Sequence, residues 1–225
     1  MLRSKDTGIP GRLSFTQKQD DFVMVSNSMS LGSNPACVVR VYMPDFDEWE
    51  NRQGVTFGMR VGLQGPQWKT SDEDRTWFSR RPKKVIEPYY PGFFIAFTPK
   101  EVSKDGVDSA MFLIRANENG HEIPGPKITQ TGWWTLGMSV SPDSRVHYYA
   151  KPGVEDLTEA DRLVTTHPYS IAGTHFNTMF FNICNGDDGK TWSTAWVIDD
   201  PQIFWGDGSQ PARQQTAKKQ GLLSR

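Results

Sequence analysis

Hydrophobic and polar residues alternate along most of this chain. Cys37, Val39 and Val41 are interleaved with Arg40 and Tyr42, and Val55, Phe57, Met59 and Val61 with Thr56, Gly58 and Arg60. Phe112, Ile114 and Ala116 alternate with Met111, Leu113 and Arg115, and Phe180, Asn182 and Cys184 with Met179, Phe181 and Ile183. A period of two is the mark of a strand whose faces differ in environment. It predicts strands over 21–25, 37–43, 54–63, 92–98, 109–116, 133–140, 145–150, 178–184 and 195–204. These segments are rich in β-branched and aromatic residues, with Gly, Pro, Asn and Asp between them, as strands and their turns require. Ser141-Pro142-Asp143-Ser144 reads as a hairpin turn, because Pro presets φ and Asp bonds its own backbone. Two loop pieces read as short helices, one from Asp45 to Glu48 and one from Asp156 toward Leu163. Evenly spaced strands without long helices predict an all-β protein, a two-sheet antiparallel β-sandwich with short loop helices.

The same pattern divides the chain. Residues 1–19 read as an N-terminal extension, 20–205 as one sandwich domain and 206–225 as a flexible polar tail. Residues 64–90 read as a long polar insertion, and loops of that length are usually functional or disordered. The core is supplied largely by rings: 8 Trp, 6 Tyr and 13 Phe. A net charge of −1, from 25 basic and 26 acidic residues, argues against a general attraction to nucleic acid. No apolar run is long enough to span a membrane, and the opening residues lack the apolar region of a signal peptide. Cys37 and Cys184 form no C-x-x-C pair, which excludes a Cys-rich zinc site; two buried thiols are expected before one long-range disulfide. There is no P-loop, G-x-G-x-x-G or G-x-S-x-G to support nucleotide binding or serine hydrolysis.

The polar sides of the strands carry the candidate chemistry. If their strands share a sheet, Arg40, Arg60, Arg115, His147, Tyr149 and Asn182 converge on its outer face. Guanidinium forks suit the carboxylate or sulfate groups of an acidic glycan. His147 and Tyr149 beside Arg60 would then suit β-elimination, as base, acid and carboxylate neutraliser. The plainer reading makes all six solvated outer-face residues. Glycoside hydrolysis needs two facing carboxyl groups. The clusters Asp47, Glu48, Glu50 and Asp72, Glu73, Asp74 both fall in loops, where charge usually means solvation. Trp49, Trp68, Trp77, Trp192 and Trp205 fall in loops or at strand ends, where rings stack on sugars or plug the sandwich. Asn185, Asp187 and Asp188 gather hard oxygen ligands in one turn, as calcium requires, without EF-hand spacing.

The stretch from Gly132-Trp133-Trp134 to Ser139-Val140, the Pro142-Asp143 turn and Val146-His147-Tyr148-Tyr149 form one recognisable hairpin. With the closing run Trp196-Val197-Ile198-Asp199-Asp200-Pro201-Gln202-Ile203, it resembles the concanavalin A-like lectin/glucanase jelly rolls, laminin-G-like domains included. The resemblance implies a jelly roll, contact with glycan, an extracellular or cell-surface setting and a structural calcium reaching Asp199. The E-x-D-x-x-E strand of that superfamily's glucanases is absent, as are the Q-I-H and Y-x-K-x-G motifs of its alginate lyases. The expectation is therefore a carbohydrate-binding or cell-surface interaction module, with acidic polysaccharide as partner. A polysaccharide-active enzyme (lyase before hydrolase) and a structural subunit docking other proteins stay open beside it.

Overall fold

A computed structural model describes residues 1–6, 19–69, 83–206 and 213–216. Its strands are β1 (Gln19–Ser30), β2 (Ala36–Met43), β3 (Gly54–Lys69), β4 (Lys83–Tyr89), β5 (Gly92–Thr98), β6 (Ser109–Arg115) and β7 (Glu122–Ile128). They continue with β8 (Gly132–Val140), β9 (Val146–Pro152), β10 (Arg162–Thr166), β11 (His175–Cys184), β12 (Val197–Trp205) and β13 (Arg213–Thr216). All helix among the described residues is single 3-10 turns, including Phe46–Glu48 and Glu159–Asp161. The second predicted helical piece thus shrinks to one turn, and Arg162 onward is strand.

Two antiparallel sheets pack face to face. Sheet I has the order β1-β11-β3-β5-β6-β7, with β4 also paired to β3; sheet II has the order β10-β9-β8-β2-β12-β13. Inward positions match the alternation read from the sequence. Phe57, Met59 and Val61 of β3 and Phe181 and Ile183 of β11 meet Val39, Val41, Leu136 and Tyr148 of sheet II in one core. Trp49 and Trp196 close it, their rings edge to face at 5.1 Å. Such ring packing carries much of the burial in a sandwich of modest aliphatic content.

β3 organises sheet I. Its first half pairs with β5 and its second half with β4 on the same edge, so β3, β4 and β5 make one long hairpin whose return leg breaks at Tyr90-Pro91. Pro91 has no N–H to give the ladder, and the break leaves Tyr90 on the outer surface. Within the segment read as an insertion, residues 64–69 and 83–89 are therefore hairpin strands. Residues 70–82, with Asp72, Glu73, Asp74 and Trp77, lie outside the described residues. Residues 213–216, within the stretch read as a tail, pair with β12.

Candidate functional site

The outer face of sheet I is not an ordinary solvated surface. One row across the strands runs Val23, Phe180, Arg60, Gly92, Arg115, Glu122; the next runs Asp21, Asn182, Gly58, Phe94, Leu113, Pro124. Arg60 lies at the centre and is only 8% exposed. Its guanidinium carbon sits 5.4 Å from the Tyr90 ring centre, 5.7 Å from Phe94 and 5.3 Å from Phe180. Such cation–π contacts replace part of the lost hydration.

The Tyr90 carbonyl, freed at the hairpin break, accepts from Arg60 Nε at 3.3 Å and Nη2 at 3.1 Å. The Tyr169 hydroxyl donates to the same carbonyl at 3.4 Å. Tyr169 is held in the left-handed region at φ 61°, its ring filling the space above Gly120. A non-glycine residue kept there signals a position fixed by its surroundings. No carboxylate pairs with Arg60 among the described residues. Burial first, then the neighbouring Arg115, pull its pKa down to about 10.

Arg115 approaches the same Phe94 ring at 5.1 Å. Its Nε donates to Glu122 Oε1 at 2.8 Å, and its Nη2 donates to the same oxygen. Two guanidinium groups thus share one ring, and of the two only Arg115 is paired with a carboxylate among the described residues. Asn182 is fully buried beside them; its amide nitrogen donates to Asp21 Oδ1 at 2.6 Å, while its Oδ1 has no hydrogen-bond partner.

The other three residues of the expected site are elsewhere. Arg40 stands on β2 and His147 and Tyr149 on β9, all in sheet II, so the six do not converge and the trio of His147, Tyr149 and Arg60 is not assembled. The alternation correctly turned each outward, but a sandwich has two outward faces. On sheet II that face is crossed by a strap. Arg40 donates to Val154 O at 3.2 Å, Asp156 at 2.8 Å and Asp200 at 3.0 Å. Tyr149 donates to Glu159 at 3.2 Å, and Leu157 occupies the space a side chain at Gly137 would need. A cavity of about 240 Å³ remains beside Tyr149, Leu157 and Glu159. His147 bonds Thr165 through Nδ1 at 2.8 Å and Ser141 through Nε2 at 3.3 Å. Burial, then Arg162, lower its pKa from the ordinary imidazole value.

The residues expected to bind calcium are also divided. Asn185, Asp187 and Asp188 share one turn, where Asn185 Oδ1 accepts from the Asp187 N–H at 2.6 Å. Asp188 accepts from Lys190 N, Thr191 N and the Thr191 hydroxyl, which hold its pKa down to about 2. Asp199 is on β12, opposite Arg40 and beside a hollow of about 290 Å³ that Trp133 also lines. No group of three or more His, Cys, Asp or Glu gathers as metal ligands would among the described residues. Glu50 is buried and structural: it accepts from Gly186 N at 2.8 Å and Arg52 Nε at 3.3 Å. Cys37 faces the core and Cys184 the outside of sheet I; both are free thiols, pushed by burial up to about 12.

Sequence reasoning missed Tyr90, Phe94, Phe180 and Tyr169. The available signal was the doubled aromatics Phe93-Phe94 and Phe180-Phe181, which put a ring on both faces of a strand. No family model matches the chain, and no curated protein does. Among solved structures, an alginate lyase from Pseudomonas aeruginosa is similar over 80% of this chain and 81% of that one, at 6% identity and a TM-score of 0.33.

Proposed function

We propose that the protein binds acidic polysaccharide, a polyuronate or sulfated glycan, on the outer face of sheet I. Arg60 carries this reading. Its charge is taken out of water by three rings, and its guanidinium is hydrogen-bonded to a neutral carbonyl rather than to a carboxylate, with Asp21 acting on it only through space. An uncompensated buried charge costs several kcal/mol, and a carboxylate or sulfate arriving at the remaining N–H groups offsets that cost. Tyr90, Phe94 and Phe180 frame the cation with apolar faces that suit the C–H side of a sugar ring. Arg115 places a second guanidinium at the same ring, its charge paired with Glu122.

A second reading, β-elimination, is favoured by Tyr169 alone. Its hydroxyl is fixed on the carbonyl that also holds Arg60. With Arg60 neutralising a uronate, Tyr169 would act as the phenolate, after giving its own proton to solvent. It would take the proton α to the carboxylate and pass it to the departing glycosidic oxygen as the carbon–carbon double bond forms and the glycosidic C–O bond breaks.

Titration calorimetry with a polyuronate and with a neutral glucan tests both readings. Arg60→Lys keeps the charge and loses the fork, and is expected to weaken polyuronate binding about tenfold, or 1.4 kcal/mol. Equal affinity for the neutral and acidic polymers refutes the proposal. Ultraviolet absorbance from an unsaturated product, lost in Tyr169→Phe with binding kept, selects the lyase; its absence in wild type leaves a binding module.

A further inference from the structure

The outer face of sheet I continues past Arg60. On β3, Arg60, Gly62, Gln64, Pro66 and Trp68 follow at alternate positions of one continuous strand, and Pro88, Ile86 and Lys84 of β4 stand opposite the last three. The reverse side of this arm is occupied. Gly65 lies against Ile171 and Ala172 so closely that no side chain fits there, and Leu63 and Tyr89 are buried. Polarity on the arm is thus inverted: the face turned from the core shows Trp68 at 70% exposure and Ile86 at 59%. These two are diagonal neighbours across the ribbon, since Trp68 opposes Lys84 and Ile86 opposes Pro66. Together with Pro66 they make an apolar patch continuous with the Arg60 face, and such patches mark interaction surfaces. Its charge is basic. Lys84 stands directly opposite Trp68, whereas Glu87, the acid of these two strand segments, pairs with Gly65 on the packed side.

We propose that this arm is a second subsite for the same acidic polysaccharide, with Trp68 stacking on a sugar and Lys84 facing its carboxylate or sulfate. The inference rests on the reading of Arg60 given above and adds a direction and a length to it. From Arg60 to Trp68 the strand rises about 27 Å. A short oligosaccharide at Arg60 therefore cannot reach Trp68, whereas a longer one running along β3 touches both. The protein is accordingly a reader of chain interior, gaining affinity as the oligomer lengthens.

The test is calorimetric titration of the full chain with polyuronate oligosaccharides of graded length, for wild type, Trp68→Ala, Trp68→Tyr and Arg60→Met. Affinity for wild type is expected to rise with length and then level off. Trp68→Ala should remove that rise, weakening the longest oligomers about tenfold, as for the loss of one large apolar contact, while leaving the shortest unchanged. Trp68→Tyr should restore most of it, and Arg60→Met should weaken every length. If Arg60→Met weakens binding but Trp68→Ala does not alter the length dependence, the arm is not a subsite and the Arg60 reading stands. If wild type binds no oligomer, or Arg60→Met changes nothing, both fall. Should Trp68→Ala instead dissolve a dimer seen by sedimentation, with oligosaccharide affinity unchanged, the arm serves a second copy of the chain and the inference is overturned.

Discussion

Arg60 gives up most of its hydration to Tyr90, Phe94 and Phe180 and receives two hydrogen bonds to a neutral carbonyl in return. A residue kept for stability would not be placed so, because a methionine of similar length fills the same space without a charge to desolvate. Arg60→Met is therefore expected to raise stability by about 1 kcal/mol in chemical denaturation while it weakens polyuronate binding. The Tyr169 hydroxyl remains to serve the Tyr90 carbonyl, so no backbone acceptor is orphaned. A fall of similar size would make Arg60 a structural residue. At this scale the alternation was informative for Arg60, Arg115 and Asn182, which all face outward as read. It placed Phe180 on the face of Asn182 but did not mark it or Phe94 as part of a site, because Phe93-Phe94 and Phe180-Phe181 are apolar on both parities.

Among the elements, the broken hairpin β3–β4–β5 builds the site. Its break exposes the Tyr90 carbonyl, and Gly92, the next residue of the return leg after Pro91, lets the Arg60 side chain lie flat across the sheet. A Cβ at Gly92 would come within 2.5 Å of Arg60 Cγ and 2.6 Å of the Met59 carbonyl oxygen. Backbone cannot yield as a side-chain tip can, so Gly92→Ala is expected to cost about 1–3 kcal/mol and to displace Arg60. Thermal melting and polyuronate titration should report both effects together; loss of neither would mean that Arg60 does not depend on this close approach. The hairpin was only half legible. β3 was read as ending at Leu63, since Gln64, Pro66 and Gln67 look like loop, and β7 was missed because Pro124 and Pro126 interrupt it. Proline is tolerated at a sheet edge, where an N–H has no ladder to join, and β7 is such an edge. Nor does a period of two say which sheet a strand enters. Arg40 was thus grouped with Arg60, although β2 lies in sheet II, where Arg40 pins the strap through Val154 and Asp156.

For the whole molecule, the sandwich separates the core from the face proposed to bind glycan. One outer face is covered by the strap on sheet II and the other is left with its cation and rings, while the core between them is closed by Trp49 and Trp196. Phe57 and Phe181 are both fully buried on the inner side of sheet I and stack at 5.8 Å, directly beneath Gly58 and Asn182 of the outer rows in sequence alternation. Phe57→Ala and Phe181→Ala should each destabilise by about 3–5 kcal/mol, from lost transfer energy and the cavity left behind. Because the two rings share one contact, the double variant should fall short of the sum by about 0.5–1.5 kcal/mol. Chemical denaturation of the three variants and wild type closes that cycle. Wherever the single variants remain folded, polyuronate affinity should stay within about twofold of wild type, since the β3 and β11 backbones separate these rings from Arg60 and sheet register is set by pairing along the whole strand. Exact additivity in the cycle would show that the stacked contact contributes no coupling energy. A large loss of affinity in a folded variant would show that the recognition face is not insulated from the core.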